Sequence, residues 1–209
     1  MKASPRWHLC LITDRRIAAG CPLEDLVAAA VRGGVTLVQL REKECSTRAF
    51  VELARSLKRV LAPTGVPLII NDRADVALAV CADGVHVGQS DMDCRDVRRL
   101  LGPGAIVGLS VETPAQALSA STLPIDYLGV GPIFATPTKP DAAPAWGLDQ
   151  LAALRSQTRQ ILIAIGGIHA ENARQVCEAG ADGIAVVSAL CAAPDPERAA
   201  RELIAAISL

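Results

Sequence analysis

Eight short apolar runs, each rich in branched side chains and each followed by a helix-like stretch, constrain this chain more than any other feature. The runs are His8–Thr13, Thr36–Leu40, Pro67–Ile70, Gly84–Val87, Ile106–Leu109, Tyr127–Val130, Ile161–Ile165 and Gly183–Val187. Their length and branching suit strands buried on both faces. The intervening segments carry helix signals. Pro22–Arg32 opens on proline and stops before Gly33–Gly34, and Ser46–Leu61 begins at a serine cap with an apolar face through Phe50, Leu53, Leu57 and Leu61. Further helices are expected at Arg73–Cys81, Cys94–Leu101, Pro114–Ala120, Leu148–Ser156, Ala170–Ala179 and Pro196–Ile207.

Strict strand–helix alternation requires parallel pairing with right-handed crossovers. Dividing 209 residues among eight units gives about 26 each, so the expected architecture is a single α/β domain over 1–209, a (β/α)8 TIM barrel with few insertions. A doubly wound open sheet is the alternative. Only five residues are aromatic, so the core must be built from Val, Ile, Leu and Ala. Ala82-Asp83-Gly84-Val85 resembles Ala181-Asp182-Gly183-Ile184 four units later; this fits a barrel of two similar halves, or a tripeptide that simply suits a helix-to-strand turn.

The formal net charge of −1 gives no electrostatic reason to expect nucleic acid or an anionic membrane as partner. No run of about 18 apolar residues suggests a membrane span, and the N-terminus lacks a signal-peptide pattern. Seven cysteines without a Cys-x-x-Cys indicate neither a disulfide framework nor zinc, and point to a reducing cytoplasm. Apolar helix faces are compatible with a homo-oligomer without selecting one.

In a parallel barrel the residues just past each strand converge on one mouth, and small-molecule sites lie there. Asp72 follows the third run and Asp91 lies beyond the fourth. Neighbouring strands are about 4.8 Å apart, and two carboxylates at about 5 Å repel by roughly 3 kcal/mol at an effective dielectric of 20. A Mg²⁺ shared with substrate phosphates would offset that. The plainer alternatives are neutralisation by Arg73 and a helix cap supplied by Asp91. In Gln39-Leu40-Arg41-Glu42-Lys43, alternation turns Gln39, Arg41 and Lys43 to one side and Leu40 to the other; a solvated charge run, Arg41–Glu44, pairing with itself is the alternative.

Thr136-Pro137-Thr138-Lys139-Pro140 places two hydroxyls and one of only four lysines on the longest connection, Gly131–Gly147, a candidate lid. Gly166-Gly167 after the seventh run, and Val187-Ser188 at the eighth, suit a phosphate, since barrels often bind phosphate at these two loops; a tight turn is the alternative. Ser110 has no evident His–Asp relay, so a serine hydrolase is disfavoured. His8, His86 and His169 read as packing or surface residues. The sixth run holds no lysine for a Schiff base.

Taken together, Leu11-Ile12-Thr13-Asp14, Val38–Lys43, Ile70-Asn71-Asp72-Arg73, His86–Asp91, Gly108-Leu109-Ser110-Val111, Gly129–Phe134, Thr136–Lys139, Ala164–Ile168 and Ala185–Ser188 resemble the thiamine phosphate synthase family over nearly the whole chain. The resemblance implies a transferase that condenses a hydroxymethylpyrimidine diphosphate with a thiazole phosphate, giving thiamine phosphate and pyrophosphate through a dissociative, Mg²⁺-dependent step. It implies that Gln39 reads the pyrimidine. Arg41, Lys43, Asn71 and Lys139 would hold its diphosphate, with Leu40 and Glu42 in the same binding segment. Ser110 would lie against the pyrimidine and the departing oxygen, and Ser110, Lys139, Arg41 and Lys43 would be the catalytic groups. Asp72 and Asp91 would bind Mg²⁺. Thr136, Pro137, Thr138, Gly166, Gly167, Val187 and Ser188 would hold the thiazole phosphate.

Two rivals share the resemblance: a thiazole tautomerase-type relative, which places a catalytic histidine in the stretch matching Gly131–Phe134, where this chain has Pro132 and no histidine, and a non-catalytic thiazole-phosphate binding protein, which could dispense with Arg41, Lys43 and the two aspartates. Asp93 stands where the family commonly has proline, and Ala142–Trp146 is locally unusual.

Overall fold

The computed structural model describes residues 7–18, 20–136, 138 and 143–208. Eight parallel strands close into a barrel in sequence order: β1 (Leu9–Ile12), β2 (Leu37–Leu40), β3 (Leu68–Asn71), β4 (Gly84–Val87), β5 (Ile106–Val111), β6 (Tyr127–Val130), β7 (Ile161–Ile165) and β8 (Gly183–Val186). The expected barrel is therefore the observed one, and the open sheet is excluded by the pairing of β1 with β8.

Helices cover the outside: α1 (Leu23–Arg32), α2 (Thr47–Leu61), α3 (Ala74–Val80), α4 (Cys94–Leu101), α5 (Pro114–Ser119), α6 (Gly147–Gln157), α7 (Ala170–Glu178), α8 (Ser188–Cys191) and α9 (Pro196–Ile207). Each lies within a few residues of expectation except α8, a single turn that four residues of sequence do not announce. A 3-10 turn, Ala120–Thr122, extends α5. The caps explain the boundaries. Ser46 accepts from Ala49 N at the start of α2, and Thr113 forms a capping box with Gln116 at the start of α5.

Period-two alternation divides the core in two. Val38, Leu40, Leu68, Ile70, Val85 and Val87 point outward and pack under the helices. Cys10, Ile12, Leu37, Ile69, Tyr127, Ile163 and Ala185 point inward and fill the barrel. Trp7 closes its lower end, edge-on to Tyr127 with ring centroids 5.4 Å apart.

The Ala-Asp-Gly echo has a local cause. Asp83 takes the Leu68 N–H on Oδ2 at 2.8 Å, and Asp182 takes the Leu162 N–H likewise at 2.8 Å. Asp126, preceded by isoleucine and followed by tyrosine, does the same for Val107 N at 2.8 Å. Each aspartate thus locks its strand to the preceding one. The glycine next to Asp83 or Asp182 is required because a Cβ there would run into the following strand's partner, at the Ile106 or Trp7 carbonyl oxygen. The repeated tripeptide is a strand-register device at the barrel's lower rim.

Candidate active site

Buried polar side chains mark the opposite rim. Among the described residues they are Thr13, Asp14, Gln39, Asn71 and His86, all on or just past the ends of β1–β4. Burying such groups is costly unless they are hydrogen-bonded or face a ligand. Gln39, Asn71 and His86 border a cavity of about 1210 Å³ at the carboxyl ends of the strands.

From β2 and its extension, Gln39, Arg41 and Lys43 line this cavity, as their alternation predicts. Leu40 and Glu42 are not part of the lining. Leu40 is fully buried under the helices, and Glu42 forms a two-bonded pair with Arg15, both contacts 2.6 Å. The charge run does not pair with itself: Glu44 meets Arg16, while Arg41 is held from β1, its N–H on Thr13 Oγ1 at 3.1 Å and its guanidinium 3.7 Å from Asp14 Oδ2.

Asn71 and Asp72 follow on β3. Asp72 takes a left-handed conformation, φ 63°, one of the few that aspartate tolerates without glycine. Its N–H is fixed to the His86 carbonyl at 2.8 Å, and its Oδ2 lies 2.5 Å from Lys43 Nζ. Arg73 does not neutralise it, since that guanidinium is committed to Asp75 and Thr47. Asp91 does not cap α4 either: Asp93 does, accepting from Arg95 N at 2.7 Å, which accounts for an aspartate at that unusual position. Asp91 Oδ2 instead accepts the Gly88 N–H at 2.7 Å and faces the cavity with Asp72.

Ser110 lies within β5 and lines the wall, its carbonyl bonded by Gln89 Nε2 at 2.6 Å. The sequence reading missed its neighbours. His86 Nε2 is 2.8 Å from Ser110 Oγ, and His86 Nδ1 is 2.9 Å from Tyr127 Oη. Burial lowers the His86 pKa to about 4, with Asp91 pulling weakly the other way, and burial pushes the Tyr127 phenol up. Both rings are therefore neutral near pH 7. The available signal was parity: His86 lies two residues before Gly88 on a strand whose alternate residues face inward.

Across the mouth, Thr136, Thr138, Gly166, Gly167, Val187 and Ser188 line the same cavity. Thr138 N–H bonds Thr136 Oγ1 at 3.3 Å. Gly167, at φ 64°, packs so closely on the segment after β6 that a Cβ would sit 2.8 Å from both Ala135 O and Phe134 Cβ. Asn172 braces Gly167 through its carbonyl at 2.9 Å. Both ends of the 131–147 connection are stitched down: Ile133 N to Ile165 O at 2.8 Å, Trp146 N to Pro132 O at 2.8 Å, and the buried Trp146 indole to Glu112 O at 3.0 Å. Trp146 is thus an anchor. Pro137 and Lys139 lie outside the described residues.

The cavity therefore opposes two regions, a charged one built by β2–β4 and a hydroxyl- and glycine-lined one built by β6–β8. Among the described residues no group of three His, Cys, Asp or Glu could hold a metal ion. Asp72 and Asp91 are hard oxygen donors, a set that fits Mg²⁺ completed by water and phosphate oxygens and does not fit zinc. No helix of the described residues is long and apolar enough to cross a membrane.

A sequence model of the family described as "Thiamine monophosphate synthase" matches residues 9–190. The chain is 59% identical over 203 residues to a thiamine-phosphate synthase from Albidiferax ferrireducens, covering 96% of this chain and 93% of that one. It is 57% identical over 196 residues to a thiamine-phosphate synthase from Azorhizobium caulinodans, with 93% and 92% covered. Among solved structures it is similar to a thiamine phosphate pyrophosphorylase from Pyrococcus furiosus, with TM-score 0.89, 37% identity, and 98% and 96% of the two chains covered.

Proposed function

This chain belongs to the thiamine monophosphate synthase family and is a transferase that forms thiamine phosphate, and from that premise we propose that it joins a hydroxymethylpyrimidine diphosphate to a thiazole phosphate, releasing pyrophosphate in a Mg²⁺-dependent reaction. The observation that carries this reading is the two-sided cavity: cations and carboxylates on one wall, hydroxyls and glycines on the other.

Arg41 and Lys43, with Asn71 beside them, bind the pyrimidine's diphosphate and offset the charge that grows on it as the CH₂–O bond breaks. Lys139, on the motif evidence of the sequence, joins them. Gln39 reads the pyrimidine ring, and Ser110 lies against that ring and the departing oxygen. The ring amine delocalises the cation left behind, so no protein nucleophile is needed. Thr136, Thr138, Gly167 and Ser188 hold the thiazole phosphate so that the thiazole nitrogen faces the reacting carbon. Asp72 and Asp91 would hold Mg²⁺, which when bound supplies positive charge to the leaving diphosphate. The 131–147 connection keeps out the water that would otherwise trap the cation. The seven free thiols favour work in the cytoplasm.

The test mixes purified protein with both substrates, with Mg²⁺ or with EDTA, and measures pyrophosphate and coupled product. Equal amounts of the two, formed only with Mg²⁺, are expected. A folded protein that yields neither would overturn the reading, and equal rates in EDTA would remove the metal from it.

A further inference from the structure

Tyr127 and His86 have no part in the chemistry above, yet both are buried inside the barrel, both border the cavity, and together they form a chain that ends on Ser110, one of its functional side chains. Of the two hydroxyls that flank the His86 ring, the Tyr127 phenol is the more acidic and so the stronger donor. The phenol has one proton, and it is directed to His86 Nδ1, 2.9 Å away. A neutral imidazole that accepts at Nδ1 carries its hydrogen on Nε2. That N–H donates to Ser110 Oγ at 2.8 Å. The serine oxygen is thereby occupied as an acceptor from behind, and its own hydrogen is left to turn toward the cavity.

The barrel is built to hold these two rings. Register sets His86, Gly108 and Tyr127 side by side on β4, β5 and β6, with Ser110 opposite Gly129 one inward layer above. A Cβ on Gly108 would lie 2.5 Å from His86 Nδ1 and from Tyr127 Oη, and one on Gly129 would lie 2.9 Å from His86 Cε1. Two glycines on adjacent strands clear the volume that the rings fill. A buried polar chain is tolerated when its members are satisfied, and here both ring nitrogens of His86 and the Tyr127 hydroxyl are paired.

We propose that Tyr127 and His86 are positioning residues that hold the Ser110 hydroxyl as a hydrogen-bond donor toward the pyrimidine diphosphate. The ligand named here rests on the proposed function; the direction of the chain does not.

Two measurements separate these. Nitrogen NMR of histidine-labelled protein without substrate is expected to show His86 as the Nε2–H tautomer at neutral pH, a preference lost in Tyr127→Phe. An Nδ1–H tautomer in the wild type would reverse the chain and overturn the proposal, whether or not the enzyme turns over. Steady-state kinetics of Tyr127→Phe, Ser110→Ala and the double variant give the second test. Tyr127→Phe is expected to lower kcat/KM for the pyrimidine diphosphate about tenfold and leave the KM for the thiazole phosphate within about twofold, whereas in the Ser110→Ala background it costs less than about twofold. Additive losses, or an equal rise in both KM values, would reduce Tyr127 to a packing residue. If Tyr127→Phe does not fold, His86→Gln, which keeps an N–H donor, should retain more activity than His86→Leu; equal loss in the two would overturn the proposal. A wild type with the expected tautomer but no thiamine phosphate would sink the functional reading and leave the relay standing.

Discussion

Lys43 Nζ lies 2.5 Å from Asp72 Oδ2, joining the extension of β2 to the end of β3 at the mouth of the barrel. The lysine side chain is 51% exposed and the aspartate 21%, so the pair is solvent-screened and contributes no more than about 1 kcal/mol to stability. Its importance lies in placing a cation and a carboxylate where a diphosphate and a metal would meet. Asp72→Asn is the clean variant, because asparagine also tolerates the left-handed backbone at this position. It is expected to lower turnover by at least about 10²-fold while shifting the melting temperature by less than about 4 °C. Steady-state rates and thermal unfolding check both, and near-normal turnover would remove Asp72 from the chemistry.

Gly108 offers a test of the barrel interior itself. Gly108→Ala would force a methyl group against both His86 and Tyr127, neither of which can retreat from its hydrogen bonds. Overpacking of this kind costs about 1–3 kcal/mol. Gly129→Ala meets only the His86 ring edge, at 2.9 Å, and is expected to cost less. Chemical denaturation of the two variants should rank them in that order, and the reverse ranking would mean that the rings move freely.

The barrel was legible because periodicity and turn chemistry repeat eight times, so an error in one unit could not change the topology. Cavity residues at strand ends were legible for the same reason: parity assigns Gln39, Arg41 and Lys43 to one side and Leu40 to the other, and the structure agrees. Partnerships were not. Nothing in the sequence says that Asp72 finds Lys43 and not Arg73, or that Asp93 and not Asp91 caps α4, since each choice depends on side-chain reach across two loops. The pairing of His86 with Tyr127 was not legible because the two are 41 residues apart and become neighbours only through register. The anchoring role of Trp146 was not legible because its acceptor, Glu112 O, is supplied by another βα loop.

His86 also makes stability depend on pH. Its pKa falls from 6.5 to about 4 on burial. Below pH 6.5 the unfolded chain takes up a proton at this site that the native barrel refuses, so the unfolded state binds more protons and stability declines as pH falls. The loss begins near 6.5, is complete near 4, and amounts to about 3 kcal/mol. Urea unfolding at pH 7 and pH 4.5 is expected to show a larger drop for the wild type than for His86→Gln, which has no group to titrate there. Parallel losses in the two proteins would show that His86 ionises inside the barrel without cost.

Asp182 tests the lower rim independently of the site. Its Oδ2 accepts the N–H of the fully buried Leu162 and also meets Arg155 at 2.9 Å. Asp182→Ala strands that N–H between two strands, a loss of about 1–3 kcal/mol. Asp182→Asn keeps a carbonyl acceptor for Leu162 and gives up only the charge to a partly exposed arginine, so it is expected to cost clearly less. Asp182 sits at the amino end of β8, away from the cavity that Val187 and Ser188 reach at the other end of the same strand. Both variants should therefore keep kcat/KM per folded molecule within about twofold of the wild type. Lost activity in a variant that unfolds at the wild-type urea concentration would contradict the division of the barrel into a rim that fixes strand register and a rim that does chemistry.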